Sequence, residues 1–591
     1  MRSVRVFHIL LLFTVAFAAL GLRLVWVQTA AGAELAKSAA ASVRQRQVHV
    51  MLNDGRGNLV DRNGMRLTGA SEDALLMLPG GLDILSPSER QRIADTLRMT
   101  EAKLLSIWPK AGEMPKWWGL AGASSEPVPL AVWQVEALRS IPSSAYVIAD
   151  KTIRYPGDRI AAHLVGFTAE QPDRFKALYT DHAAIGSLPV STPIGASGLE
   201  LAFDRFLLGT GREFIAYHID GRGQPLTGLG IRHIRRDNPY YPLQAVTTID
   251  AALQRSLEEL ADRYPLQEGA VVVLDAVNAD VLAMVSRPNY QAGQIPQHSA
   301  DWQNRALSSI PPGSVMKTFI AAVALETGAV SPNETFICDG TYHKYGLTCW
   351  KEGGHGRLSF AEALAQSCNL VFAEVGERLD AFTLQQYAER LGLSGKIGWQ
   401  GVSLIDGLEI RQFPEEQSNT IFGIDMSEVD GGVLAQTAIG QRDVSWTPLA
   451  AANWTITLLN GGAVAFPRAV SKLNYADGHA MEKYELQREK ARALSPRTVY
   501  TLRGMMEEVA ATGTGQSLAA AKWRLAGKSG TAETVKEGVP AVHQWFVGYG
   551  PAELPRYAVA VVANYRPPGS KNLATAIFKD VMDLLAAYES Q

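Results

Sequence analysis

Residues 310–319 read IPPGSVMKTF. Pro311, Pro312 and Gly313 interrupt regular structure and permit a sharp entry, and the following run SVMKTFIAAVALETG has the apolar spacing of a buried helix that begins at Ser314. Positions three apart share a helix face, so the spacing predicts that the Ser314 hydroxyl and the Lys317 amine meet. The hydroxyl sits at the positive end of that helix, where a developing negative charge is stabilised. A neutral amine in contact with a serine can take its proton and make it a nucleophile. Neutrality requires a pKa brought from about 10.4 to roughly 7–8, on the order of 4 kcal/mol, by burial and a nearby positive charge. A second lysine is therefore expected close by. Alone, Ser-x-x-Lys also describes a helix-start serine followed by a surface lysine, so the reading rests on two later segments.

The first is RLSFAEALAQSCNLVF, in which Ser359 and Glu362 form a capping box and the helix breaks near Ser367, Cys368 and Asn369. Ser367 then offers a second hydroxyl for proton traffic, and Asn369 an amide that both donates and accepts. The second is GKSGT, 527–531, placed on a strand where Gly530 lets another backbone approach and Lys528 supplies the positive charge.

The flanking sequence gives these segments a frame. TTIDAALQRSLEELADRY has Asp250 as an N-cap, with Leu253, Leu257 and Leu260 at helical spacing. EGAVVVLDAVNADVLAMVSRPNY reads as a hairpin about Asn278-Ala279-Asp280. KWRLAGKSGTAET, HQWFVGYG and RYAVAVVANY read as three further strands, and the tail carries Ile577, Val581, Leu584, Leu585 and Tyr588 on one stripe of a covering helix. The expected fold class is α/β (α+β), a sheet flanked by helices. Before residue 246 the stretches 56–67, 154–166 and 195–211 are dense in glycine, arginine and acidic residues, a mixture of turn formers and ion pairs that fixes strand connections. The run RDNPYYPLQAV, 236–246, reads as a joint.

At 591 residues the chain exceeds one compact core. A formal net charge of -3 gives no electrostatic reason to expect nucleic acid. From Val6 onward VFHILLLFTVAFAALGLRLVWV is long and apolar enough to span a bilayer; Arg2 and Arg5 precede it, which places the tail in the cytoplasm and everything after Gln28 outside. A cleaved leader is the competing reading, against which Arg23 and Trp26 look like an interfacial exit. The expected organisation is tail and transmembrane helix over 1–28, an elongated α+β pedestal or dimerisation domain over 29–245, and the catalytic domain over 246–591. Three cysteines cannot by themselves build a disulfide framework or a four-ligand zinc site. Cys338 and Cys349 could form a small disulfide or remain thiols; Cys368 reads as a packing residue. His343, His355 and His543 read as structural, and no metal is expected.

Ser-x-x-Lys, Ser-x-Asn and Lys-Ser-Gly in this order are the signature set of penicillin-binding proteins and serine β-lactamases. The chain resembles the class B penicillin-binding proteins, membrane-anchored peptidoglycan transpeptidases, over almost its whole length: RGNLVDRNG, RYPGDRIAAHLVG and GASGLELAFDRFLLG resemble that family's pedestal motifs, TTIDAALQ the entry to its catalytic domain, and IGQRDVSWTPLA a segment bordering its active site. Two positions depart from the family pattern, Arg442 where a second glycine is usual and Ser529 where threonine is.

The resemblance implies that Ser314 attacks the carbonyl between the two D-alanines of a stem peptide, with Lys317 as general base. It implies that Ser367 and Asn369 relay a proton to the leaving D-alanine and hold the peptide, while Lys528, Ser529, Gly530 and Thr531 form the carboxylate-binding strand. The NH groups of Ser314 and Thr531 would make the oxyanion hole. It further implies no cofactor, acylation by β-lactams, a membrane location with the catalytic domain outside the cytoplasm, and a membrane-embedded glycan polymerase as partner, since no glycosyltransferase module is legible. A D,D-carboxypeptidase or β-lactamase, and a non-catalytic scaffold or β-lactam sensor, are the alternative functions.

Overall fold

A computed structural model describes residues 2–29, 37, 46–119, 127–141, 143–155, 159–179, 188–209, 211–220, 225–226, 230–235, 238–290 and 299–590. Pro156, Gly157 and Asp158 of the second glycine- and arginine-rich stretch, Thr210 of the third, and Arg236 and Asp237 of the joint lie outside the described residues. Two compact units emerge from the chain. One takes Met1–Asp54, Ser71–Ile153 and Gly211–Asp237; the other takes Gly55–Ala70, Arg154–Thr210 and Asn238–Gln591.

The first unit begins with helix α1, Arg2–Thr29, whose stretch Val4–Thr29 is long and apolar enough to cross a membrane. Its remainder is mixed α+β. Gln47–Asn53, Glu213–His218 and Arg232–Ile234 form an antiparallel sheet, and Ala70–Met77 lies between Lys116–Trp117 and Tyr146–Ile153 in another. Helix Pro87–Thr96 opens on a Ser86–Glu89 capping box and buries Ile93 and Ala94 against Leu75, Leu104 and Trp108.

In the second unit a five-stranded antiparallel sheet is built from β1 (Gly269–Asp275), β2 (Val281–Arg287), β3 (Ala526–Lys536), β4 (Val539–Gly550) and β5 (Tyr557–Arg566), ordered β2-β1-β5-β4-β3. Successive residues of β1 face opposite ways, as strand geometry requires. Val271 and Val273 join one core with Leu253 and Leu257 of α2 (Ala251–Asp262) and Ile577 and Val581 of the C-terminal helix Leu573–Tyr588. Val272 and Leu274 join the other with α3 (Met316–Thr327) and the apolar helix Pro448–Leu459. The hairpin turn expected at Asn278-Ala279-Asp280 is present, with Ala279 at φ 62°. Asp250 caps α2, accepting from Ala252 and Leu253 at 3.1 Å each.

The glycine- and arginine-rich stretches meet within this unit. Arg56 reaches Glu200 at 2.7 Å and Asp204 at 2.8 Å, and Arg154 binds the other oxygen of Glu200. Glu200 is fully buried. Close backbone approach explains the neighbouring glycines: a Cβ on Gly166 would stand 1.9 Å from the Ser197 carbonyl oxygen.

Candidate active site

Ser314 lies on a short 3-10 turn, Gly313–Val315, which leads directly into α3. Three glycines from three distant segments allow this turn to be clasped. Gly313, at φ 53°, has no room for a Cβ, which would come 2.3 Å from the Thr531 oxygen; a Cβ on Gly530 would meet the Pro312 oxygen at 2.5 Å, and one on Gly440 the Gly313 oxygen at 1.9 Å. The Gly313 NH donates to the Gly440 carbonyl at 3.1 Å, and the Trp545 indole NH donates to the Pro311 carbonyl at 3.0 Å. The prolines and glycine before Ser314 thus let the chain lie flat against β3. Gly313→Ala combines a left-handed penalty of about 1–2 kcal/mol with a displacement of the turn. It is expected to lower the thermal midpoint and to slow covalent labelling of Ser314 by about 10²-fold, the scale of an ångström misplacement. Stopped-flow labelling alongside a melt checks both.

Ser367 sits where α4 (Phe360–Ala365) ends. The Cys368 NH donates to Ala363 O at 2.9 Å and the Ser367 NH to Leu364 O at 3.1 Å, the paired bonds of a Schellman cap, and Ser367 takes the left-handed position at φ 55°. Glycine is the usual occupant there, so a serine marks a position kept for its hydroxyl at some conformational cost. Asn369 then opens α5 (Asn369–Glu377).

Two fully buried lysines converge on this turn. Lys317 Nζ donates to Asn369 Oδ1 at 2.7 Å, Ser367 O at 2.9 Å and Ser367 Oγ at 3.4 Å. Lys528 Nζ donates to Ser367 Oγ at 3.0 Å and to Ser529 O at 2.9 Å. Ser367 Oγ therefore bridges both amines. The structure brings Ser314, Lys317, Ser367, Asn369, Lys528, Ser529, Gly530 and Thr531 together, but none of the hydrogen bonds of Lys317 goes to Ser314. The α3 spacing alone predicts that contact; the Schellman turn instead presents three acceptors to the amine from the other side. Burial pushes Lys317 down to about 8, with the Cys368 and Cys349 thiols opposing a further fall. Burial and then repulsion from Lys317 push Lys528 well below its ordinary value.

Strand β3 is the sheet edge. The Thr531 oxygen points at Gly313, and in an antiparallel strand the NH of a residue points the same way as its C=O. The Thr531 NH is thereby aimed off the sheet at the Ser314 turn. An open cleft of about 1070 Å³ runs along this edge and reaches Ser314, Ser367, Asn369, Ser529 and Thr531. Sequence reasoning missed Thr514, whose hydroxyl bonds that of Ser529 at 2.8 Å, and Trp350, whose indole NH donates to the Ser367 carbonyl at 3.2 Å. Neither carries a motif; Gly513 beside Thr514, packed on the Ala365 oxygen, is the one local signal. Arg442 stands at φ 66°, which is why glycine suits that position, and its side chain turns to Asp443 at 3.1 Å.

Cys338, Cys349, His355 and Cys368 come together as one group, their ligand atoms all within 4.8 Å of one another. The three cysteines are free thiols, so the disulfide allowed by the sequence is not formed. These side chains could hold a metal ion, a grouping hidden from the sequence because a hairpin, a loop and a helix cap each supply a part.

Residues 269–583, just over half of the chain, match the family described as the penicillin binding protein transpeptidase domain. The chain belongs to the penicillin-binding protein transpeptidase family. Stage V sporulation protein D of Bacillus subtilis is 25% identical over 96% of this chain and 82% of its own. Peptidoglycan D,D-transpeptidase MrdA of Haemophilus influenzae is 29% identical over 71% of this chain and 67% of its own. A solved chain from a peptidoglycan synthase complex superposes with a TM-score of 0.66 at 22% identity, covering 99% of both chains. That likeness in fold extends beyond the matched residues 269–583. Near the N-terminus, α1 has the length and hydropathy of a membrane-anchoring helix.

Proposed function

We propose that this protein is a serine D,D-transpeptidase that cross-links peptidoglycan stem peptides. The observation that carries the reading is the convergence of two buried lysines of lowered basicity on the Ser367 hydroxyl, beside a serine clasped at a helix start. Ser314 Oγ attacks the carbonyl carbon of the penultimate D-alanine. Its proton passes to Lys317, which reaches it by rotating its terminal torsions away from Asn369. The new oxyanion lies between the NH groups of Ser314 and Thr531, an arrangement that contributes several kcal/mol. Ser367 Oγ gives its proton to the departing D-alanine nitrogen and takes the Ser314 proton from Lys317, which returns to its neutral form.

Lys528 is held short of its ordinary charge by burial, and the terminal carboxylate of the stem peptide supplies the counter-charge that lets it bind a proton. Ser529 and Thr531 hydroxyls complete that carboxylate site, with Asn369 holding the peptide amide. An amine from a neighbouring stem then attacks the Ser314 ester, restoring the serine and forming the cross-link. A β-lactam acylates the same oxygen. With α1 as anchor and Arg2 and Arg5 at its N-terminal end, the catalytic unit lies outside the cytoplasm, and glycan strands come from a membrane-embedded polymerase.

Incubation with glycan strands bearing pentapeptide stems tests the activity. Cross-linked dimers and free D-alanine are expected; free D-alanine without dimers would mean a carboxypeptidase, and neither product a scaffold. The base must be neutral, so labelling by penicillin is expected to rise about tenfold per pH unit below 8 and level off above it, as Lys317 loses its proton. A profile flat from pH 5 to 9 would remove Lys317 from that role.

A further inference from the structure

Four side chains outside the reaction cleft make a group the proposed chemistry does not use. Cys338 ends the strand Thr335–Cys338, and His355 immediately precedes its partner Gly356–Ser359, with Cys338 opposite Gly356. Cys349 lies in the loop between them, and Cys368 sits inside the Ser367–Asn369 turn. His355 Nδ1 is 3.3 Å from Cys349 Sγ and 3.5 Å from Cys338 Sγ. Bond lengths of about 2.3 Å to sulfur and about 2.0–2.1 Å to nitrogen give a tetrahedral zinc ion S···N edges of about 3.5 Å, close to these two distances. Three thiolates and an imidazole select zinc over the hard cations, and four protein ligands leave no open position, which makes the role structural.

The group is wired to the catalytic turn from both sides. Trp350, next to Cys349, donates to the Ser367 carbonyl at 3.2 Å, and Asn369, next to Cys368, donates to the Thr348 carbonyl at 3.3 Å. A shared ion adds a third tie between the same two segments, at a turn whose central serine is held at φ 55°. His355 is half-buried, so small solutes reach the edge of the group.

We propose that Cys338, Cys349, His355 and Cys368 hold a zinc ion that clamps the Ser367–Asn369 turn, and that peroxide oxidation of its thiolates releases the ion and slows acylation of Ser314. In that step the Cys349 and Cys368 thiolates give up two electrons and form one S–S bond. The peroxide O–O bond breaks, two protons from water complete two water molecules, and Zn²⁺ leaves. The coupling rests on the reading of Ser314 as the acylated nucleophile; the metal site itself does not.

The test uses the full chain in detergent, prepared without chelator and supplied with zinc chloride, with metal content and fluorescent-penicillin labelling measured on the same sample. About one zinc per chain is expected. Hydrogen peroxide is expected to release it and lower the labelling rate at least about tenfold, and dithiothreitol with zinc chloride to restore both. Cys349→Ser is expected to lose zinc and label slowly, whereas Cys349→Asp, which keeps a ligand but cannot form the disulfide, is expected to hold zinc and label at the normal rate after peroxide. Less than about a tenth of a zinc per chain would overturn the site. Zinc released with an unchanged labelling rate would overturn the clamp. A zinc-loaded protein whose Ser314 takes no label would overturn the transpeptidase reading and the coupling, while leaving the metal content to decide the site.

Discussion

Lys317→Met is expected to slow covalent labelling of Ser314 by about 10²–10⁴-fold, the range a positioned general base supplies. Methionine keeps the apolar stem that lies buried in α3 and removes only the amine. Bringing Lys317 from its ordinary value to about 8 corresponds to about 3 kcal/mol of burial cost, which the variant no longer bears. Loss of rate should therefore come without loss of stability, although Asn369 Oδ1 and the Ser367 carbonyl each lose a donor. A structural role for the lysine would show the reverse, a lowered melting midpoint with a labelling rate within a few-fold of the parent. Labelling measured at several penicillin concentrations separates binding from the chemical step, and the decrease is expected in the latter.

Glu200→Ala has the largest expected effect on folding. Glu200 is fully buried between Arg56 and Arg154, and burial alone would raise its pKa; the two guanidiniums more than reverse this and hold it below the carboxylate range. Removing the carboxylate takes a shared counter-charge from the buried Arg56 and the part-buried Arg154, at a cost of about 3–5 kcal/mol. Arg56 keeps Asp204 at 2.8 Å and Arg154 keeps the Gly57 carbonyl at 2.7 Å, which places the loss toward the lower end of that range. Urea unfolding followed by tryptophan fluorescence measures it. The sign of the pH dependence follows from the lowered carboxyl: its contribution is present above the unfolded value near 4.3 and is lost as pH falls through the folded one. The parent should therefore weaken in acid more steeply than Glu200→Gln.

The chemistry of the cleft was legible because each part is a short motif carried on a recognisable element. Proline and glycine before Ser314, the capping box at Ser359 and Glu362, and glycine within the strand at 530 each state a local backbone requirement, and the structure meets them. The sheet and its covering helices were equally readable, since β1 alternates its valines between two cores and the tail helix keeps one stripe. Three-dimensional convergence was not. The i, i+3 rule placed Lys317 against Ser314, but the left-handed turn at Ser367 offers the amine three oxygens at once. The Cys338–Cys349–His355–Cys368 group escaped for a related reason: its members come from a strand, a loop, a strand start and a helix cap, and no periodicity links them. Glu200 and Arg154, 46 residues apart, are neighbours only in the folded chain, so their sequence shows charge and not burial.

Peptide mapping by mass spectrometry after brief exposure to benzylpenicillin tests the central claim most directly. The penicilloyl mass is expected on the peptide containing Ser314, on that residue's hydroxyl, and to be absent from Ser314→Ala. A label carried by another residue, or a full-length folded protein that takes none, would contradict the account.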